Sequence, residues 1–187
     1  MELIRTFIAV TLSEDIKQEI KKTQNELKQL TDGVRWVMPE RLHVTLKFLG
    51  GVKKEQISDI TSAVSKCCND IQPFNLLIKG LGVFPNINKA RIIWAGIDEG
   101  FKPLSQLAIL MDEEFSKLGF ENEQKPFKAH ITLGRVTDFA RLDKFASGIK
   151  AYNEVIFGSE VVKSITVMKS EIHREGPIYT PLDIIYL

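Results

Sequence analysis

A four-residue pattern occurs twice in this chain, His43-Val44-Thr45-Leu46 and His130-Ile131-Thr132-Leu133, and the protein holds only three histidines. Histidine has an ordinary pKa of about 6.5, so it both gives and takes protons near neutral pH. Two copies can supply one acid and one base. Alternate residues of a strand face opposite sides of a sheet. His43, Thr45 and Lys47 are therefore expected on one face, with Leu42, Val44, Leu46 and Phe48 on the other. In the second copy His130, Thr132 and Gly134 fall together, opposite Ala129, Ile131 and Leu133. Each strand presents an imidazole beside a hydroxyl, and two such faces across a groove would bracket a small polar group. A solvated strand face accounts for one such motif but poorly for two at matching places. Two histidines without a third Asp, Glu, His or Cys at ligand spacing give a metal thin support. His173 lacks the pattern and is expected at the surface.

The elements that must position these residues repeat as well. The two histidines stand 87 residues apart, nearly half of the 187-residue chain, and each follows a proline by four residues, Pro39 and Pro126. Residues 3–11 read as a first strand, being rich in β-branched and aromatic side chains. Ser13 then offers a helix cap, with Glu14 and Asp15 in the favoured first turn. Ile16, Ile20, Leu27 and Leu30 give the apolar stripe of that helix, which stops before Asp32-Gly33. Strands are expected at 34–38 and 42–49, followed by a helix carrying Ile57, Ile60, Val64, Cys67 and Ile71. Two more strands, 74–84 and 90–97, flank a Pro85-Asn86 turn. Pro103 suits a helix first turn, and Leu104, Leu107, Met111, Phe115 and Leu118 lead to a stop at Gly119. After the second histidine strand comes a shorter helix with Leu142, Phe145, Ala146 and Ile149. Strands at 161–170 and 179–187 finish the chain around Arg174-Glu175-Gly176-Pro177. Sequence similarity between the halves is faint outside the motifs, so the repeat is one of architecture. Two similar lobes, each a sheet backed by helices, form the economical arrangement.

Bulk composition sets the bounds. With 44% hydrophobic and 26% charged residues and a net charge of +1, the chain has the balance of a globular protein without a global field for nucleic acid. A local anionic pocket stays open. Cys67 and Cys68 are adjacent, which fits neither a disulfide framework nor a zinc site, and helical context makes them small core residues. The start of the chain lacks a signal peptide's apolar run, and no stretch approaches the roughly 18 apolar residues of a membrane span. A cytoplasmic location is expected.

These residues resemble the 2H phosphoesterase superfamily, named for paired His-x-Thr motifs. More narrowly, the chain is similar to the bacterial and archaeal RNA 2′,3′-cyclic phosphodiesterases, the LigT-like or ThpR family, formerly called 2′-5′ RNA ligases. The resemblance rests on Arg5-Thr6-Phe7-Ile8-Ala9, the first motif with Lys47-Phe48-Leu49-Gly50, and Ala90-Arg91-Ile92-Ile93-Trp94-Ala95-Gly96. It continues through Pro126-Phe127-Lys128-Ala129, the second motif with Gly134-Arg135, and Gly176-Pro177-Ile178-Tyr179.

The resemblance implies an α/β (α+β) fold over residues 1–187 as a single bilobal domain. Two antiparallel sheets with outer helices would flank a central cleft about a pseudo-twofold axis. It implies hydrolysis of a terminal RNA 2′,3′-cyclic phosphate to a 2′-phosphate, with reversible 2′-5′ ligation as an associated activity. His43 would be the proton donor and His130 the proton acceptor, with Thr45 and Thr132 binding the phosphate oxygens. Arg135 would contact phosphate or base, although strand parity points it away from His130 unless a bulge intervenes. Phe7 and Tyr179 would stack on a base or form the rim. Neither a metal nor another cofactor is expected. The expected partners are RNA 3′ ends or small cyclic nucleotides and no membrane, with the chain acting as a monomer. Two alternatives stand beside this. One is a binding module for RNA ends or nucleotides without turnover. The other is the same chemistry on ADP-ribose cyclic phosphate or 2′-5′ oligoadenylate.

Overall fold

The computed structural model describes residues 3–138 and 145–187. Its strands are β1 (Ile4–Thr11), β2 (Val34–Trp36), β3 (His43–Val52), β4 (Phe74–Phe84), β5 (Ile92–Glu99), β6 (His130–Val136), β7 (Ile156–Val162), β8 (Ser164–His173) and β9 (Gly176–Tyr186). Its helices are α1 (Glu14–Lys28), α2 (Ile57–Cys68), α3 (Phe101–Lys117) and α4 (Phe145–Ala151). The mixed α/β class expected from the sequence is what the chain adopts. Leu142, expected on the short helix, lies outside the described residues.

All the strand pairings are antiparallel, in the order β7-β4-β5-β6-β3-β1-β8-β9, with β2 added to β6. The nine strands form one continuous sheet where two were expected; its β3-β1-β8-β9 and β7-β4-β5-β6 halves join at β3 and β6, which share the single paired position Val44↔Ile131. Each histidine strand is thus the inner strand of its half. Beyond that rung β6 continues against β2 instead of β3.

One face of this assembly is covered by helices. α2 and α3 pack on each other and against β3, β8 and β9, while α1 lies on β7 and α4 on β4. Between helices and strands sits the main core, including Ile16, Ile20 and Leu27 of α1 and Leu104, Leu107, Met111 and Phe115 of α3. Burying each such aliphatic side chain is worth about 1.5–3 kcal/mol, which fixes which sheet face is left for the site. A separate small cluster of Phe7, Ala9 and Met168, capped by Tyr179, lies on the other face.

Several local expectations change. The Ser13 hydroxyl makes no cap hydrogen bond; instead the Ser13 N–H donates to Glu160 Oε2 at 2.8 Å, tying the entry of α1 to β7. α1 ends at Lys28, so Leu30 falls beyond its stripe and is exposed. β3 continues through Gly50-Gly51 to Val52 instead of stopping there. The chain also makes two strands, β7 and β8, where a single one at 161–170 is expected. Only Lys163 separates them, so their run reads as continuous in sequence.

Candidate active site

The rung Val44↔Ile131 sets the site. Both residues are fully buried on the core side. The flanking residues therefore point the other way, with His43 beside Thr132 and Thr45 beside His130. Directly opposed Cβ atoms lie about 4.5–5.5 Å apart and diagonal ones about 7–8 Å in an antiparallel pair. The two histidines occupy a diagonal of this four-residue square and the two threonines the other.

Both imidazoles are held in the same way. His43 Nδ1 lies 2.7 Å from the carbonyl of Arg41, and His130 Nδ1 lies 2.6 Å from the carbonyl of Lys128, each two residues upstream. A carbonyl only accepts, so each Nδ1 carries the proton and donates. The free nitrogen of each ring is Nε2, an acceptor when the ring is neutral and a donor when it is charged. His43 packs against Phe7 at 5.0 Å and edge-on to Tyr179 at 5.3 Å. His130 meets Phe84 edge-on at 5.2 Å, and Phe84 in turn lies against Trp94 and under the Lys128 ammonium. Gly82 makes room for that wall, because a Cβ there would stand 2.1 Å from the Trp94 ring. Burial lowers the pKa of His43, the Arg41 carbonyl raises it, and a charge on His130 lowers it further, for a net downward shift. The two histidines are therefore electrostatically linked.

The strict alternation expected along the motif strands breaks just after each threonine. In β3, Ala9 pairs with Thr45 but Ile8 pairs with Lys47, leaving Leu46 as an extra residue. In β6, Trp94 pairs with Thr132 but Ile93 pairs with Gly134, leaving Leu133 extra. A bulge of this kind reverses the facing of everything beyond it. Lys47 and Gly134, expected beside the histidines, turn into the core. Phe48 and Arg135, expected opposite, turn onto the histidine face. Arg135 opposes Ile92, two residues from Trp94 on β5, and so reaches the face that carries His130 and Thr132.

Each bulge is anchored from a helix. Lys47, 3% exposed, donates to Asp112 Oδ1 of α3 at 2.5 Å and to the Glu121 carbonyl at 2.8 Å. Burial would raise the Asp112 carboxyl, but the Lys47 ammonium and the Glu123 N–H hold it below the ordinary range. At the other bulge the Leu133 carbonyl accepts from Gln24 Nε2 of α1 at 2.9 Å and from the Val37 N–H at 2.8 Å. The same Gln24 amide also donates to the Val37 carbonyl, so a buried polar side chain has its hydrogens satisfied. At Gly134 a Cβ would come within 2.7 Å of Val34 Cγ1, so glycine lets β2 close on the bulge.

Tyr179 enters from β9, where it pairs with Ser170. Burial raises its phenol above the ordinary value, and the charges of Arg135, Arg41 and Arg5 offset part of that rise. Arg41 is steadied by donating to the Glu175 carbonyl at 3.0 Å. All seven residues singled out from the sequence, His43, Thr45, His130, Thr132, Arg135, Phe7 and Tyr179, thus share one face. Sequence reasoning missed Phe84, Arg5 and Arg41 as neighbours and placed Phe48 wrongly. The available signal for Phe48 was its position five residues after His43, matching that of Arg135 after His130. Among the described residues, no group of three or more His, Cys, Asp or Glu could hold a metal ion, and no helix is long and apolar enough to cross a membrane. His173 ends β8 and is exposed.

The sequence and the fold have known counterparts. A family model described as LigT like Phosphoesterase matches residues 10–94 and 96–179. An RNA 2′,3′-cyclic phosphodiesterase of Methanothermobacter thermautotrophicus is 36% identical over 184 residues, covering 98% of this chain and 99% of that protein. The protein of that name in Archaeoglobus fulgidus is 35% identical, covering 97% and 99%. Among solved structures, TT0787 of Thermus thermophilus has a TM-score of 0.82 at 28% identity, covering 98% of this chain and 97% of that one. E. coli LigT complexed with 3′-AMP has a TM-score of 0.79 at 25% identity, covering 100% and 99%.

Proposed function

Since the chain belongs to the LigT-like phosphoesterase family, we propose that it hydrolyses a terminal 2′,3′-cyclic phosphate on RNA to a 2′-phosphate. The observation that carries this reading is the square of His43, Thr132, Thr45 and His130 built around the Val44↔Ile131 rung. The names of its curated relatives supply the substrate class.

In the proposed step, His130 Nε2 takes a proton from water as the water oxygen bonds to phosphorus. The bond to the 3′ oxygen breaks, and that oxygen receives a proton from His43 Nε2. The phosphate stays on the 2′ oxygen. Thr45 and Thr132 donate to the non-bridging oxygens, where charge grows in the transition state. Arg135 adds a cation beside them, and Phe7 and Tyr179 form the aromatic rim. Replacing water by a 5′-hydroxyl would give a 2′-5′ linkage by the same proton transfers.

Incubation with a short RNA ending in a 2′,3′-cyclic phosphate tests this. Phosphorus NMR should show a 2′-phosphate monoester. A 3′-phosphate product would mean that the substrate lies the other way round in the cleft. Absence of turnover would favour a binding module.

A pH profile tests the two-histidine assignment independently. The dependence of kcat/KM should be bell-shaped, because one imidazole must be neutral and the other charged. Its limbs belong to the pair and not to either residue alone. Burial lowers His43, so its charged form is lost as pH rises through a value below 6.5 in the empty cleft. The lower macroscopic value of the pair, which sets the acidic limb, should therefore lie below that ordinary value. A bound anion favours imidazolium and should move the same limb upward in kcat. A flat profile between about pH 5 and 9 would exclude histidine acid–base chemistry from the limiting step.

A further inference from the structure

The two bulges are anchored by side chains with no place in the reaction above, and the anchors cross. Gln24 belongs to α1, the helix ahead of the first motif, yet its amide donates to the Leu133 carbonyl of the second motif's bulge at 2.9 Å. Asp112 belongs to α3, the helix ahead of the second motif, yet its carboxylate accepts from Lys47 of the first motif's bulge at 2.5 Å. The two helix residues stand 88 positions apart, against 87 for the histidines, so they hold matching places in the repeated architecture.

Each anchor has a second hold, on the chain that leads to its own histidine. Gln24 donates also to the Val37 carbonyl at 2.9 Å. From Val37 the chain runs through the single turn Pro39–Arg41 to the carbonyl that holds His43 Nδ1. Asp112 accepts also from the Glu123 N–H at 3.0 Å, and Lys47 donates to the Glu121 carbonyl. From Glu123 the chain runs on to the Lys128 carbonyl that holds His130 Nδ1. Each brace therefore ties the strand of one histidine to the support of the other.

Stability gives little reason for polar groups here. Gln24 is 1% exposed and Lys47 3%, so neither reaches a substrate in the cleft. Burying such groups costs free energy that their bonds serve to recover, and apolar replacement of a whole buried ion pair is often neutral or stabilising. What directed bonds add is position. A reacting group displaced by about 1 Å can lose roughly 10²-fold in rate. We propose that Gln24 and the Lys47–Asp112 pair are positioning residues for the acid and the base, two crossed braces that hold His43 and His130 at one spacing. This role rests on the hydrolytic reading and adds to it the parts that set its geometry from the far side of the sheet.

The test replaces each brace by apolar groups: Gln24→Met, and Lys47→Met together with Asp112→Leu so that no charge is left buried alone. On a short RNA ending in a 2′,3′-cyclic phosphate, kcat should fall roughly 10- to 100-fold with little change in KM. Asp112→Asn keeps the Oδ1 acceptor for both of its bonds and should recover most of the loss seen in Asp112→Ala. Leu107→Ala, in the buried stripe of α3, is the control: it should lower the denaturant midpoint without lowering kcat. Full kcat in both apolar variants, or an equal loss in the control, would overturn the proposal. If wild-type protein does not turn over the RNA, the hydrolytic reading fails instead, and NMR titration of the imidazoles decides the braces. His130→Ala should raise the pKa of His43, because charge on one ring lowers the other. That rise should be smaller in a Gln24→Met background, since the interaction weakens with separation. An equal or larger rise removes the braces.

Discussion

Replacing His43 or His130 by alanine is expected to lower kcat by roughly 10²–10⁴-fold while the protein stays folded. The size follows from what one positioned proton-transfer group contributes. The tolerance of the fold follows from where the rings sit. Both lie on the cleft face, partly accessible, and their contacts are with Phe7, Tyr179 and Phe84 instead of the main core. Their Nδ1 bonds reach carbonyls only two residues away, so removing a ring breaks no hydrogen bond between distant elements. An acid and a base acting in one step form a unit, so the double variant should fall little below the worse single one. Steady-state turnover of a cyclic-phosphate RNA, with circular dichroism to check folding, measures both points. Losses under about fivefold in both single variants would remove the imidazoles from the chemical step.

Thr45→Val and Thr132→Val come next, each expected to reduce kcat by about 10²–10³-fold. Valine keeps the shape and the β-branch that suit a strand, so the change removes a hydroxyl and little else. The effect should appear mainly in kcat, because the donors face oxygens whose charge grows as the transition state forms. Serine at either position should retain most of the activity. The approximate symmetry of the square predicts comparable losses at the two sites. A change confined to KM would make the hydroxyls simple binding groups, equally engaged before and during reaction.

Much of this was legible in the chain itself. Paired His-x-Thr patterns at matching places identified the four central residues, because acid–base chemistry needs such groups and strand parity puts each hydroxyl beside its imidazole. Apolar periodicity located α1 to α3 and the strand 74–84, since local burial patterns leave their period in the sequence. Arg135 was recognisable only on condition of a bulge.

The tertiary structure decided what parity could not. Leu46 and Leu133 look like ordinary core residues of an alternating strand, and nothing local marks them as extra. Their bulges depend on partners far along the chain: Asp112 and the Glu121 carbonyl for the Lys47 side, and Gln24 with Val37 for the Leu133 carbonyl. Those anchors turn Lys47 inward and bring Phe48 and Arg135 out to the cleft. The meeting of β3 and β6 at one rung is likewise a choice between strands 87 residues apart, made by packing helices on the opposite face. The sequence by itself determined which side chains can move protons; only long-range pairing and two helix-anchored bulges decided that they, the arginine and the phenylalanine face the same space.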